Sequence, residues 1–291
     1  MAGTSAVFLA EGTMKQLHKP QNAQQWGLLA SAVLVASVLL VVPLIFIFVT
    51  ALSGGWELLQ ANLQKDYMQH ALGLTLLVAA LTVPLNTFFG ILFAWLVTHY
   101  EFRGRRLLLT FIDIPYAVSP VVAGLCYMVI YGVESRFGAW LMDHGIYIMF
   151  AWPGIVLVTL FVTTPYVART LIPVMQIQGR DEEYAALTLG ASGWQVFRHV
   201  SLPKMKWGLL YGVVVTNARA VGEFGAVSVV SGAIINQTLT LPLLVDQLHN
   251  DNKAAAAFTA AALLALMALL TLLIKTVVEW RQSQLLSKAE V

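Results

Sequence analysis

Long apolar stretches dominate this chain, and short polar or charged connections separate them. A helix needs about 20 apolar residues to cross the ~30 Å hydrocarbon core of a bilayer. Six stretches reach that length, and they cover residues 27–50, 71–98, 107–131, 148–175, 207–230 and 254–278. The first is too long for the apolar region of a cleaved signal peptide, so we expect it to remain as a helix. The pattern predicts an all-α integral membrane protein with six transmembrane helices.

Composition supports a membrane environment. The 291 residues are 58% hydrophobic and 11% charged, which is more apolar and less charged than an average soluble domain. The net charge of +2 indicates no nucleic acid partner. Cys126 is the only cysteine and the histidines show no ligand spacing, so we expect neither an internal disulfide nor a metal site.

The positions of lysine and arginine predict the orientation. With a cytoplasmic N-terminus, eleven of these side chains lie in the cytoplasm and only Lys65, Arg136 and Lys253 lie outside. The positive-inside rule therefore favours two cytoplasmic termini. This divides the chain into a cytoplasmic tail (residues 1–26), a six-helix transmembrane domain (27–280) and a second cytoplasmic tail (281–291). The connection between the fourth and fifth spans, residues 180–206, then faces the cytoplasm.

That connection carries the signals of two short helices. Acidic residues 181–183 complement a helix N-terminus, and Gly190 and Gly193 can end one helix and turn the chain into the next. Pro203 marks the return toward the membrane. The small residues Ala185, Ala186, Gly190 and Ala191 would let another protein approach closely. An ordinary connection between two spans is the alternative.

The spacing Ala185-Ala186-x-x-x-Gly190, followed by Val200-x-Leu202-Pro203, resembles the signature cytoplasmic loop of ABC importer permeases with the MetI/ModB-like fold. In that family the loop docks into a cleft of a separate ATPase subunit, so the resemblance implies a coupling-helix loop. It assigns the ATPase contact to Glu183, Tyr184, Ala185, Ala186, Gly190, Ala191, Arg198, Leu202 and Pro203. Tyr184 stands where the family usually has Glu, and Glu183 lies one position earlier.

Two further stretches narrow the resemblance. DIPYAVSPVVAGL (113–125) and TNARAVGEFGAVSVVSG (216–232) resemble the molybdate and sulfate branch of these permeases, and most of all the W-type subunits of sulfate/thiosulfate importers. The resemblance implies a bacterial inner-membrane heterodimer with a T-type sister permease. It also implies a pair of ATPase subunits and a periplasmic sulfate/thiosulfate-binding protein, which the outer loops 53–70, 132–147 and 236–253 would receive.

No phosphate-binding G-x-x-x-x-G-K-[ST] loop occurs in the chain, and no nucleophile–base set is visible. We therefore expect a non-catalytic translocation subunit that binds no cofactor itself. ATP and Mg²⁺ would bind the partner ATPase, whose closure would move the loop and switch the helices between outward and inward openings.

Ionisable side chains at membrane depth are costly and normally face a partner or a water-filled cavity. Arg219 and Glu223 lie four residues apart on the fifth span, where they can pair, and Asp113 lies near the start of the third. One interpretation is a buried Asp113/Arg219/Glu223 network that holds helices together. The other is that Arg219 faces the route of a divalent oxyanion. Neutral hydrogen bonds along that route could come from Ser119, Thr216, Asn217, Ser228 and Ser231.

Two other functions stay open. A homodimeric molybdate or tungstate permease would carry a similar GEFGA segment, and a second permease gene of the T type would argue against it. An ATP-independent anion carrier or channel would also hold membrane charges, but it leaves the Ala-Ala-x-x-x-Gly loop unexplained. Inverted repeats would favour a carrier, and none is visible in the sequence.

Overall fold

The computed structural model describes residues 23–289, and within this range the chain consists of helices and their connections, with no strand. The helices are α1 (Ala23–Leu52), α2 (Gly55–Leu63), α3 (Asp66–His99), α4 (Arg105–Ala117), α5 (Pro120–Tyr131), α6 (Arg136–Asp143), α7 (Trp152–Gln178), α8 (Asp181–Thr188), α9 (Gly193–Val196), α10 (Leu202–Val221), α11 (Gly225–Val230), α12 (Leu241–Asn250) and α13 (Ala254–Ala289). One π-helical turn, Phe197–Ser201, joins α9 to α10.

The predicted tails coincide only in part with the described range. Most of the N-terminal tail, with Lys15 and Lys19, lies outside the described residues. Residue 281, the predicted start of the C-terminal tail, lies within α13, which continues to Ala289, so this boundary stays a prediction. Within the described range the chain forms two compact units, residues 23–49 and residues 50–289. The first unit is the greater part of the apolar helix α1.

Within residues 23–289, four helices are long and apolar enough to cross a membrane: α1, α3, α7 and α13. The predicted third span is not one helix, because α4 and α5 meet at an angle of 108°. Pro120 explains the break, since a proline disfavours helical geometry in the residue before it. Val118 and Ser119 accordingly have ψ of 132° and 135°. Counted as one broken span, this pair raises the number of candidates to five.

The predicted fifth span also divides into two helices. α10 begins at Leu202, five residues earlier than expected, and ends at Val221. The short α11 follows after a break at residues 222–224. Neither half is among the helices that qualify as spans, so the count of six crossings stays a prediction.

Two apolar clusters hold the second unit together. The larger joins α3, α7, α11, α12 and α13 through buried side chains such as Val78, Val158, Val227 and Leu241. The smaller lies where the end of α3, the end of α7 and the start of α10 meet, around Ala94, Leu171 and Met205. These contacts bring residues 180–201 close to the end of α3.

Glycines set the closest approaches between helices. A Cβ atom on Gly212 of α10 would lie 3.3 Å from Cα of Val167 on α7. A Cβ atom on Gly124 of α5 would lie 2.8 Å from the carbonyl oxygen of Ala226 on α11. Small residues at helix contacts are typical of membrane bundles, where packing rather than water exclusion drives association. A Cβ atom on Gly225 would lie 3.2 Å from Cβ of Pro120. The break between α4 and α5 therefore lies beside the break between α10 and α11.

Candidate functional site

The predicted pair of short helices in residues 180–206 is present, and its first helix ends with a defined geometry. Gly190 follows α8 with a φ of +89°, in the left-handed region that favours glycine. Its N–H donates to the carbonyl of Leu187 at 3.0 Å, and the N–H of Ala191 donates to the carbonyl of Ala186 at 3.1 Å. This is the Schellman arrangement of a helix C-terminus. The spacing Ala-x-x-x-Gly therefore specifies where α8 ends.

The second helix begins with a capping box. The N–H of Ser192 donates to Oε1 of Gln195 at 2.7 Å, and the N–H of Gln195 donates back to Oγ of Ser192 at 3.4 Å. From α9 the chain continues through the π-helical turn into α10 with no residue outside helical geometry. Pro203 lies in the first turn of α10, where its missing N–H costs least. We call residues 181–201 the hairpin.

One carboxylate ties the hairpin to the end of α3. Glu183 Oε2 lies 2.8 Å from Nε2 of His99, and Oγ of Ser201 donates to Glu183 Oε1 at 2.6 Å. The His99 and Glu183 side chains are each 13% exposed. Arg180 adds a hydrogen bond to the carbonyl of Thr98. Both oxygens of Glu183 are thus engaged by the chain itself, and the assignment of this residue to the ATPase contact stays a prediction.

Aromatic side chains surround this connection. The ring of His99 stacks on Trp95 with centroids 3.9 Å apart, and Phe197 packs edge-on against Trp95 at 5.5 Å. Trp194 stacks on Phe197 at 5.5 Å. The end of α3, α8 and the π-helical turn therefore form one packed unit, so the hairpin is not a loose loop.

The turn between α8 and α9 presents an exposed apolar surface. Leu189 is 88% exposed and Trp194 is 67% exposed. Beside Leu189 runs an open groove of about 430 Å³, lined among others by Ala186, Gly190, Ala191 and His199. Isolated apolar side chains on a surface are ordinary, but a large one at the tip of a polar hairpin suits insertion into another protein.

The residues assigned to the ATPase contact divide by burial. The exposed ones are Tyr184, Ala185, Gly190, Arg198 and Pro203, and the partly buried ones are Glu183, Ala186, Ala191 and Leu202. Leu202 packs into the apolar cluster at the end of α3. The sequence reasoning missed Leu189 and Trp194, although a large apolar residue next to each of the two turn glycines was a visible signal.

At the α10–α11 break, Arg219 and Glu223 pair as predicted. Nη1 of Arg219 lies 2.8 Å from Oε2 of Glu223, an ion-pair contact without hydrogen-bond alignment, with the side chains 31% and 1% exposed. Oε1 of Glu223 accepts the N–H of Ala226 at 3.0 Å and so caps the start of α11. Glu223 therefore neutralises a partly exposed arginine and also stabilises the helix break.

Asp113 belongs to a different pair, so the predicted Asp113/Arg219/Glu223 network is wrong. Nε of Arg169, on α7, donates to Oδ1 of Asp113 at 2.7 Å. The physical reason is the 108° bend, which directs α4 along α7. Among the described residues, no ion pair joins Asp113 to Arg219. The sequence reasoning missed Arg169, although it is the only charged residue in the 27-residue α7.

Two of the predicted neutral side chains, Asn217 and Ser228, have partners within the chain. Nδ2 of Asn217 donates to Oγ1 of Thr271 on α13 at 3.4 Å, and Oγ of Ser228 donates to the carbonyl of Gly225 at 2.9 Å. Ser119 is exposed at the start of α5 and makes no side-chain capping bond. Asn217 and Ser228 thus stabilise helices, whereas Ser119 keeps its hydroxyl exposed at the break.

No group of three or more His, Cys, Asp or Glu that could hold a metal ion occurs in the part of the chain that the structure describes.

Comparison with known proteins gives the family. The profile of the "Binding-protein-dependent transport system inner membrane component" family matches residues 86–284. The sulfate transport system permease protein CysW of Escherichia coli K12 is 55% identical over 263 residues, which cover 90% of each chain. The permease protein CysT of the same organism is 34% identical over 249 residues, covering 85% of this chain and 90% of that protein.

A solved structure gives the fold. A bacterial alginate ABC transporter, in complex with a periplasmic protein bound to an alginate pentasaccharide, matches with a TM-score of 0.71 at 15% identity. The match covers 87% of this chain and 91% of the transporter chain. The predicted all-α permease fold and the family resemblance are confirmed. By its sequence and its fold, the chain belongs to the family of binding-protein-dependent transport system inner membrane components.

Proposed function

We propose that this chain is the membrane-spanning translocation subunit of an ATP-driven importer of sulfate, and of thiosulfate as a second substrate. The observation that carries the proposal is the hairpin, which is helical, capped, packed against α3 and apolar at its exposed tip. Relatives named as sulfate transport system permease proteins support the substrate. The chain itself performs no catalysis in this proposal.

The partners follow from the same proposal. A second permease chain of the T type would complete the membrane domain, and separate ATPase subunits would bind ATP and Mg²⁺ and receive the hairpin. A periplasmic sulfate- or thiosulfate-binding protein would deliver the anion to the outer loops. Both termini and the hairpin lie in the cytoplasm, as the distribution of lysine and arginine indicates.

Two connections would carry motion from the hairpin to the membrane. α9 continues through the π-helical turn into α10, at whose far end Arg219 and Glu223 lie. α8 contacts α3 through Glu183 and His99. Movement of the hairpin by an ATPase would therefore reach α3 and α10 together, and alternating access would follow from their displacement. A route with weak anion contacts suits this mechanism, because tight binding would slow release.

Uptake of labelled sulfate by proteoliposomes tests the proposal. The liposomes would contain this chain, the T-type permease, the ATPase and the binding protein, with and without ATP. We expect uptake that needs ATP and the sister permease and that thiosulfate, but not molybdate, suppresses. Uptake without ATP would indicate a carrier or channel, and molybdate uptake without the sister chain would indicate the homodimeric alternative.

Leu189→Asp tests the coupling role within that system. A carboxylate at the tip of the hairpin would lose its hydration in an apolar cleft, so we expect at least a 10-fold loss of ATP-dependent uptake. Leu189→Met is the matched control, because it keeps an apolar side chain of similar volume. Normal uptake by the aspartate variant, with the complex assembled, would contradict the proposed docking surface.

A further inference from the structure

The pair formed by Arg169 and Asp113 is a second charged element at membrane depth. Arg169 lies nine residues before the end of α7 at Gln178, which places it about 14 Å along the helix from that end. Its guanidinium carbon also lies 4.8 Å from the ring centroid of Tyr116 on α4. Asp113 and the ring of Tyr116 thus hold the guanidinium in one orientation.

This pair is unusually exposed for charges at such a depth. The Arg169 and Asp113 side chains are 51% and 43% exposed in the protomer. Charged side chains at membrane depth almost always face the interior of a bundle or a water-filled cavity, because exposure to lipid is costly. We therefore expect the exposed side of the pair to face a polar space in the assembled transporter.

The guanidinium keeps its terminal nitrogens available. The hydrogen bond to Asp113 uses Nε. Among the described residues, no other hydrogen bond or ion pair reaches either terminal nitrogen of Arg169. Two parallel N–H groups on a planar guanidinium match two oxygens of a tetrahedral oxyanion.

The two charge pairs lie at different depths. Gly212 packs against Val167, and Gly208 packs against Val174, so α7 and α10 run antiparallel with residue 169 near the level of residue 211. Arg219 lies eight residues farther along α10, which corresponds to a separation of about 12 Å along the helix axis. Gln178 Nε2 donates to the carbonyl of Lys204, so the end of α7 lies beside the start of α10, where the hairpin ends. Of the two arginines, Arg169 is therefore the nearer to the hairpin.

We propose that Arg169 is a contact for the transported divalent oxyanion on the hairpin side of Arg219, and that Asp113 weakens this contact so that the anion is released. The inference rests on the proposed function, because it needs an anion that passes through this membrane domain. The route of the anion then contains two successive contact positions, Arg219–Glu223 and Arg169–Asp113. Each position consists of one arginine and one carboxylate. A carboxylate at each position prevents either arginine from retaining a dianion.

Variants of the pair in the reconstituted transporter test this inference. Arg169→Gln should lower ATP-dependent sulfate uptake at least 10-fold, while the binding protein still stimulates ATP hydrolysis. Arg169→Lys should retain more uptake than Arg169→Gln, since it keeps the charge without the planar donors.

Asp113→Asn should slow uptake about threefold or more, because the unopposed arginine would hold the anion. Arg103→Gln, which removes an exposed arginine in the connection between α3 and α4, is the control and should leave uptake unchanged.

The double variant Arg169→Gln/Asp113→Asn separates this role from a structural one. A pair that only holds α4 against α7 would tolerate joint neutralisation better than either single change. Wild-type uptake by the double variant would overturn the inference, whereas we expect it to remain as impaired as Arg169→Gln. If the wild-type transporter itself does not import sulfate with ATP, the proposed function fails instead.

Accessibility gives an independent readout. Arg169→Cys in a Cys126→Ala background should react with a small charged thiol reagent in the assembled complex, and sulfate should slow that reaction. Absence of reaction would mean that the position is covered by the sister chain, and reaction at a rate unaffected by sulfate would mean that the anion does not pass it. Either result would overturn the inference.

Discussion

The hairpin and the Arg169–Asp113 pair differ in what holds them together. The hairpin is built from contacts between neighbours in sequence, such as the Schellman turn at Gly190 and the Ser192–Gln195 capping box. The Arg169–Asp113 pair joins residues 56 positions apart, and it exists because one helix bends beside another. Local structure is therefore specified by short motifs, whereas the Arg169–Asp113 pair depends on the packing of α4 against α7.

Glu223→Ala gives the largest expected effect on stability. It leaves Arg219 without its ion pair and the N–H of Ala226 without an acceptor. We therefore expect the free energy of unfolding to fall by about 3 kcal/mol. This is near the lower end for a broken buried pair, because Arg219 is partly exposed. Thermal denaturation of the purified complex in detergent measures this loss. Glu223→Gln is the control, since its amide oxygen can still cap α11 and only the charge is lost. Equal stability of Glu223→Ala and wild type would mean that the break at residues 222–224 does not need the carboxylate.

Glu183→Ala tests a connection at which the hairpin depends on tertiary structure. It removes the contacts to His99 and Ser201 together. We expect the free energy of unfolding to fall by about 2 kcal/mol, since hydrogen bonds to charged groups are stronger than those between neutral groups. Ser201→Ala removes only one of these contacts and should cost about 1 kcal/mol. The same denaturation assay compares the two variants. A larger loss for Ser201→Ala than for Glu183→Ala would contradict the role of Glu183 as the common partner.

Gly190→Ala isolates the local contribution. The φ of +89° at Gly190 strains any residue with a Cβ atom, so we expect a loss of about 1 kcal/mol and partial unwinding at the end of α8. Gly193→Ala is the matched control, because Gly193 lies in α9 and a Cβ atom there would meet open space. Hydrogen exchange of the backbone amides at positions 190 and 191 reports the change. Equal exchange in both variants would show that the turn does not need glycine.

Sequence reasoning succeeded where one short segment contains the whole signal. The start of α8 at the acidic residues, its end near Gly190 and the pairing of Arg219 with Glu223 four residues later all depend on spacing along a single helix or turn. It failed at Asp113, because the partner of this carboxylate lies on another helix. It also treated residues 107–131 as one crossing, since hydropathy measures apolar length and does not register the bend before Pro120.

The sequence by itself determined that this is an all-helical membrane protein, because apolar length, turn glycines and capping residues act over a few neighbouring positions. The importer permease family followed from the resemblance of its motifs to that family. Only the tertiary structure decided that Glu183 contacts His99 and that Arg169 contacts Asp113. The physical reason is that the strength of a charge contact depends on distances between helices. Those distances are set by close packing between helices, as where Gly212 of α10 meets Val167 of α7.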